Sequence, residues 1–164
     1  MQRKQSYYAV RNTMHIMCDN ALSSPQSLGY SLSGNLSNVR TQLYQKRNGA
    51  FYLIAWLEKQ SFTKNKVINN PPQAVTIRFE QAISQVRAYR PSDATGGIAG
   101  SNQPKQTYVQ PTTINLSVGD ALTILEIVPK ASPCRTLPPA AHLPQASSQI
   151  LTSLAISPYC APPV

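Results

Sequence analysis

From Leu28 onward, apolar residues recur at every second position in short runs, and turn-forming residues close each run. Such alternation places one side of an extended strand in a core and the other in solvent, a periodicity that a helix does not share. Leu28, Tyr30 and Leu32 alternate with small or polar residues before Gly34-Asn35. Val39–Lys46 is a second run, and it ends at Asn48-Gly49, a dipeptide suited to the positive φ of a tight hairpin turn. Ala50–Leu57 (AFYLIAWL) is apolar at every position, which predicts a central strand covered on both faces. Val75, Ile77 and Phe79 alternate with Thr76, Arg78 and Glu80, and Ile83–Tyr89, Thr113–Val118 and Ala121–Val128 continue the theme. The stretch Ser92–Pro111, with Gly96, Gly97, Gly100 and Pro104, reads as a loop. The fold class that follows is all-β, an antiparallel β-sandwich of about seven to eight strands.

Two segments lie outside this pattern. In Gln5–Cys18, the residues Tyr7, Val10, Met14 and Met17 fall on one helical stripe, so one amphipathic helix is expected before the strands. That stripe needs a partner surface. At the other end, Ala131–Val164 holds seven of the 14 prolines, no glycine and one charged residue, Arg135. Such a composition favours extended, irregular chain. The expected organisation is therefore a helix and linker over residues 1–24, a sandwich over 25–129, and a Pro-rich, disordered tail over 130–164. Cys18, Cys134 and Cys160 match no metal-ligand spacing and read as free thiols, with a Cys134–Cys160 bridge open to the chain only in an oxidising compartment. No apolar run approaches the roughly 18 residues of a membrane span, so no membrane partner is expected. The N-terminal residues lack the continuous apolar segment of a secretion signal.

The chain carries 15 Lys and Arg against 6 Asp and Glu, a net charge of +9, which raises the question of nucleic acid. Arg40, Lys46, Arg47, Lys59, Lys64 and Lys66, with Tyr44 and Tyr52 nearby, could line a groove for a single strand. The charges are instead spread about one per element and no nucleic-acid motif accompanies them, so solvated faces are the better reading. Catalytic chemistry finds little support. Glu58 is the only acid beside a strong aromatic cluster, and it reads as a solvated strand end. His15 and His142 have no carboxylate or thiol at a useful spacing, and Gly96-Gly97-Ile98-Ala99-Gly100 lacks the lysine of a phosphate loop. No catalytic residue, metal ligand or cofactor is assigned. Aromatic side chains that stack on sugar rings are the remaining candidates for a site: Tyr30, Tyr44, Tyr52 and Trp56. Tyr52 and Trp56 share a face of the central strand, where a binding platform and a packing face look alike.

The order of these pieces resembles the C-terminal end of bacterial glycoside hydrolases with a (β/α)8 barrel. The segments that carry the resemblance are Ser6–Asn12 (SYYAVRN), Leu28–Gly34 (LGYSLSG) and Leu43–Glu58 (LYQKRNGAFYLIAWLE). They are similar to the last barrel helix, the strand after it and the hairpin that opens an accessory β-sandwich. Val75–Glu80, Val86–Pro91 and Leu116–Ile127 are similar to the later strands. The resemblance implies a non-catalytic accessory domain in carbohydrate metabolism, supporting a barrel whose catalytic carboxylates would lie upstream of Met1. It also implies that the barrel is a partner, that polysaccharide is a possible ligand, and that the parent family is commonly secreted. The sequence departs from the family at Ala55-Trp56-Leu57-Glu58, where an Asn is missing, and at Ala88-Tyr89-Arg90-Pro91, where a base replaces an acid. On this reading the chain is a C-terminal fragment or truncated product, and the stripe Tyr7, Val10, Met14 and Met17 is a barrel-facing surface left exposed, prone to self-association. An autonomous carbohydrate-binding module and, less well supported, a basic nucleic-acid-binding β-domain are the alternatives.

Overall fold

The alternating runs pair into two antiparallel sheets packed face to face. The structure is a computed structural model that describes residues 5–19, 26–93 and 103–130. One sheet has three strands, β1 (Tyr30–Gly34), β6 (Gln73–Phe79) and β9 (Thr113–Val118), in the order β1-β6-β9. The other has five, in the order β2-β3-β10-β7-β8: β2 (Val39–Gln45), β3 (Phe51–Leu57), β10 (Thr123–Pro129), β7 (Ile83–Tyr89) and β8 (Gln106–Val109). A separate two-stranded hairpin, β4 (Phe62–Thr63) and β5 (Lys66–Val67), stands between β3 and β6 in the chain. The helix α1 spans Gln5–Met17. The β-sandwich expected from the alternation is the fold.

The core lies between the sheets and follows the two-residue period. Phe51, Leu53 and Ala55 of β3, Leu125 and Ile127 of β10, and Val75, Ile77 and Phe79 of β6 meet Ile114, Leu116 and Val118 of β9 there. Alternation in β7 is broken, since Ile83 and Val86 both point inward. The register shifts between Val128 and Pro129, which pair with Gln85 and Ile83, so an extra residue of β7 is accommodated as a bulge. Gly49 alone takes positive φ (81°) at the β2–β3 turn, where Gly49 N–H donates to the Lys46 carbonyl and Lys46 N–H to that of Ala50. The loop therefore has three residues ending on a left-handed glycine, not the two-residue turn with positive φ at both positions.

Three elements differ from expectation. Within the expected loop Ser92–Pro111, β8 pairs with β7 as an edge strand, and Pro91–Asp93 forms a single 3-10 turn. The segment QTYV is short, and Tyr108 is its one side chain packed against the core, so there is no hydrophobic alternation to signal it. The hairpin β4–β5 is likewise too short to show a period. Third, α1 docks by a different face from its most apolar one. Asn12 and Ile16 are buried, whereas Val10 is 60% and Met14 67% exposed, with Tyr7 exposed and Met17 half-buried. Cys18 is disulfide-bonded, not the free thiol expected, and its partner lies outside the described residues. The Gly-rich loop around Gly96, the tail from Ala131, and Cys134, His142 and Cys160 also lie outside them.

Candidate functional site

The two sheets differ in what covers their outer faces. On the three-stranded sheet the outward residues are small or polar, such as Ser31, Ser33, Thr76, Asn115 and Ser117, and Thr76 Oγ1 lies 2.9 Å from Asn115 Oδ1. On the five-stranded sheet the outward residues are large. They include Tyr52, Ile54 and Trp56 of β3, Ile124, Glu126 and Val128 of β10, and Arg87 and Tyr89 of β7. Helix α1 crosses part of this face. Near its middle, Asn12 Nδ2 donates to the Pro91 carbonyl at 3.0 Å, and near its C-terminal end Ile16 packs with Tyr52, Tyr89 and Ile124. A cationic residue at the helix C-terminus opposes the negative end of the macrodipole, and Lys46 supplies it by donating its Nζ to the Ile16 carbonyl. The same ammonium lies 4.2 Å from the centre of the Tyr52 ring. Asp19 accepts from the Arg47 backbone N–H at 2.7 Å, fixing the chain where it leaves the helix.

Beneath the helix Glu126 is buried with polar partners. Its carboxylate accepts from the Tyr89 hydroxyl at 2.8 Å and from Arg87 Nη1 at 3.1 Å. Burial, and then the hydrogen bond to Glu126, push the Tyr89 phenol up to about 12. Burial and the nearby carboxylate likewise raise Tyr52. Burial lowers the Lys46 ammonium, against the opposing pull of Asp19 and Glu126. Each polar group has a partner here, as a buried polar cluster requires. This arrangement pins a helix to a sheet. Glu126 belongs to no motif in the sequence. The signal for it is an acid inside the apolar run Ile124–Val128, which on a central strand must face either the core or a covering element.

The uncovered part of the face lies along the β2–β3 ladder. Register places Tyr44 opposite Tyr52, Gln42 opposite Ile54 and Arg40 opposite Trp56. Tyr44 is 43% exposed and Trp56 is half-buried, whereas Tyr52 is 6% exposed beneath Lys46 and the helix. Four residues of extended strand separate the levels of Tyr44 and Trp56, a distance of about 13 Å. Beside Trp56, Arg40 Nε and Glu58 Oε2 form an ion pair at 2.5 Å. Gln42 is exposed between the two aromatic residues. Of the four aromatic candidates, Tyr44 and Trp56 thus share an accessible strip. Tyr52 belongs to the packing under α1, and Tyr30 packs against the core from the opposite sheet. The hairpin register brings Arg40 and Gln42 into the strip, and the ion pair with Arg40 brings Glu58.

Chemically, the strip offers two aromatic surfaces with hydrogen-bonding groups between them. Among the described residues, no group of three or more His, Cys, Asp and Glu side chains could hold a metal ion. No helix among them is long and apolar enough to cross a membrane. No protein-family model and no curated protein sequence matches the chain. Among solved structures, the chain is similar to the one described as "X-ray structure of GH31 CBM32-2 bound to GalNAc", at 13% identity and a TM-score of 0.26, over 64% of this chain and 100% of that one.

Proposed function

We propose that this chain is a non-catalytic β-sandwich module that binds carbohydrate along the open β2–β3 strip. The observation that carries the reading is the placement of Tyr44 and Trp56 on one outward face, with Arg40, Gln42 and Glu58 between or beside them. Sugar rings present apolar C–H faces and equatorial hydroxyls. Aromatic rings held by a sheet match the first, and the amide and the ion pair match the second. An extended strand holds these groups with little freedom to lose on binding. Affinity electrophoresis in gels containing neutral polysaccharides tests the reading. Retardation is expected with at least one polysaccharide. Trp56→Ala and Tyr44→Ala should each weaken it by about ten-fold, the equivalent of one lost aromatic contact. Mobility unaffected by every polysaccharide, or a double variant retarded like the parent, overturns it.

A specific observation also favours an accessory role beside a larger glycoside hydrolase. Val10 and Met14 leave apolar surface exposed on α1, opposite the face that docks on the sheet. A neighbouring domain would cover such a surface, and the resemblance to the end of a barrel hydrolase names the kind of neighbour. The two readings are compatible, since a sugar-binding strip on β2–β3 and a domain contact on α1 use different residues.

A further inference from the structure

The hairpin β4–β5 carries an exposed apolar pair that the sugar-binding strip does not use. Phe62 is 61% and Val67 72% exposed, and the two stand directly opposite each other in the hairpin register. Opposed residues of a two-stranded ribbon share a face, so the pair forms one continuous apolar surface. Thr63 and Lys66, the other pair, lie on the reverse face. The hairpin is built to hold that surface out. Ile68 N–H donates to the Ser61 carbonyl at 2.9 Å, and Gln60 Nε2 donates to the Phe62 carbonyl at 3.0 Å. At its base, Asp120 accepts from Ser61 Oγ at 3.0 Å and from Asn70 Nδ2 at 3.1 Å, which tethers the hairpin to the β9–β10 turn.

Two lysines flank the pair, Lys59 before the hairpin and Lys64 at its tip, while Lys66 of β5 lies on the reverse face, and all three are exposed. None forms a salt bridge with a described residue, whereas the nearby Arg40 is neutralised by Glu58. From this combination we infer that the β4–β5 hairpin docks on an anionic lipid surface, with Phe62 and Val67 entering the interface and Lys59 and Lys64 facing the headgroups. A lipid surface fits better than an acidic polysaccharide because an aliphatic side chain beside the ring adds nothing to stacking on sugar but adds to insertion. Lysines near an anionic leaflet supply the long-range attraction.

Co-sedimentation of the full chain with vesicles tests the assignment. Vesicles of phosphatidylcholine mixed with phosphatidylserine are expected to carry the protein down, vesicles of phosphatidylcholine alone are not, and added salt should weaken the binding. Phe62→Ser should lower partitioning by at least about ten-fold. Replacing Lys59 or Lys64 by Gln should lower it by about five-fold for each. Val67→Ser tests the same face should Phe62→Ser fail to fold, and thermal melts of both variants report folding. Trp56→Ala should leave vesicle binding unchanged, which separates this surface from the sugar-binding strip. Failure to bind phosphatidylserine vesicles overturns the inference, as does undiminished binding of a folded Phe62→Ser protein. Retention on an acidic polysaccharide such as heparin without vesicle binding would assign the hairpin to that ligand instead.

Discussion

Gly34 ends β1 at φ 100°, and a Cβ added there would lie 2.6 Å from the Ala74 carbonyl oxygen. Gly49 has a similar φ of 81° at the hairpin turn, yet nothing lies within 4 Å of where its Cβ would be. The pair separates two reasons for keeping a glycine. Gly49→Ala should cost about 1 kcal/mol of stability through backbone strain alone. Gly34→Ala adds a collision with main chain that cannot move without disturbing the β1–β6 ladder, so a loss of about 2–3 kcal/mol is expected. Denaturant titration of the two variants checks this; equal losses would remove the steric part. Both glycines were visible in the sequence as turn punctuation. Neither the collision at Gly34 nor the openness at Gly49 was, because each depends on what another strand brings alongside.

The helix–sheet contact shows how far periodicity reaches. Counting apolar residues picks the stripe Tyr7, Val10, Met14 and Met17, while the docked face is Asn12 and Ile16. The sheet surface under α1 mixes Ile124 with Glu126, Tyr52 and Tyr89, and Pro91 offers a bare carbonyl beside it. A face carrying one amide and one isoleucine suits that surface better than a purely apolar one, and hydrophobicity alone does not encode the match. Strands were far more legible. In β6 and β9 one face is core and the other is solvent, so alternation maps directly onto burial. Within the candidate strip, the aromatic residues could be read but not sorted, since Tyr52 and Trp56 differ only in whether α1 lies over them.

The same contact sets an alkaline limit on stability. The Tyr89 phenol is raised by burial and by Glu126, so the folded protein holds its proton to about pH 12, while the unfolded chain releases it near 10. Its contribution is complete below about pH 10 and is lost as pH rises through the folded value. Tyr52 acts in the same direction. Lys46, lowered by burial, has the opposite sign, because the folded state loses its proton first and gains stability up to about pH 10.5. A decline in melting temperature is therefore expected only above about pH 10. Tyr89→Phe should make that decline shallower. A variant with the parent's alkaline slope would show that Tyr89 does not report on the folded state.

At the scale of the molecule, a basic sandwich presents three separate surfaces: the β2–β3 strip, the β4–β5 hairpin and the exposed stripe of α1. The stripe is expected to draw copies of the chain together when nothing else covers it. Sedimentation velocity over a range of concentrations should show association, and Val10→Lys with Met14→Lys should abolish it without lowering the melting temperature. A chain that stays monomeric at high concentration would contradict the expectation. Among the described residues, lysines without a salt bridge gather beside an apolar pair, at Lys59 and Lys64.

Strand order has a consequence for how the protein comes to exist. The strand β10 closes the described chain, yet it lies between β3 and β7 in the middle of the five-stranded sheet. During synthesis, the β2–β3 hairpin can form as soon as it leaves the ribosome, but the inner edges of β3 and β7 have no neighbour until residue 129 has emerged. Between the emergence of β7 and that of β10 the nascent chain therefore exposes two unpaired strand edges, Phe51–Leu57 among them, which are templates for pairing with other chains. Maturation of this protein is a race between completing the last strand and meeting another unfinished copy.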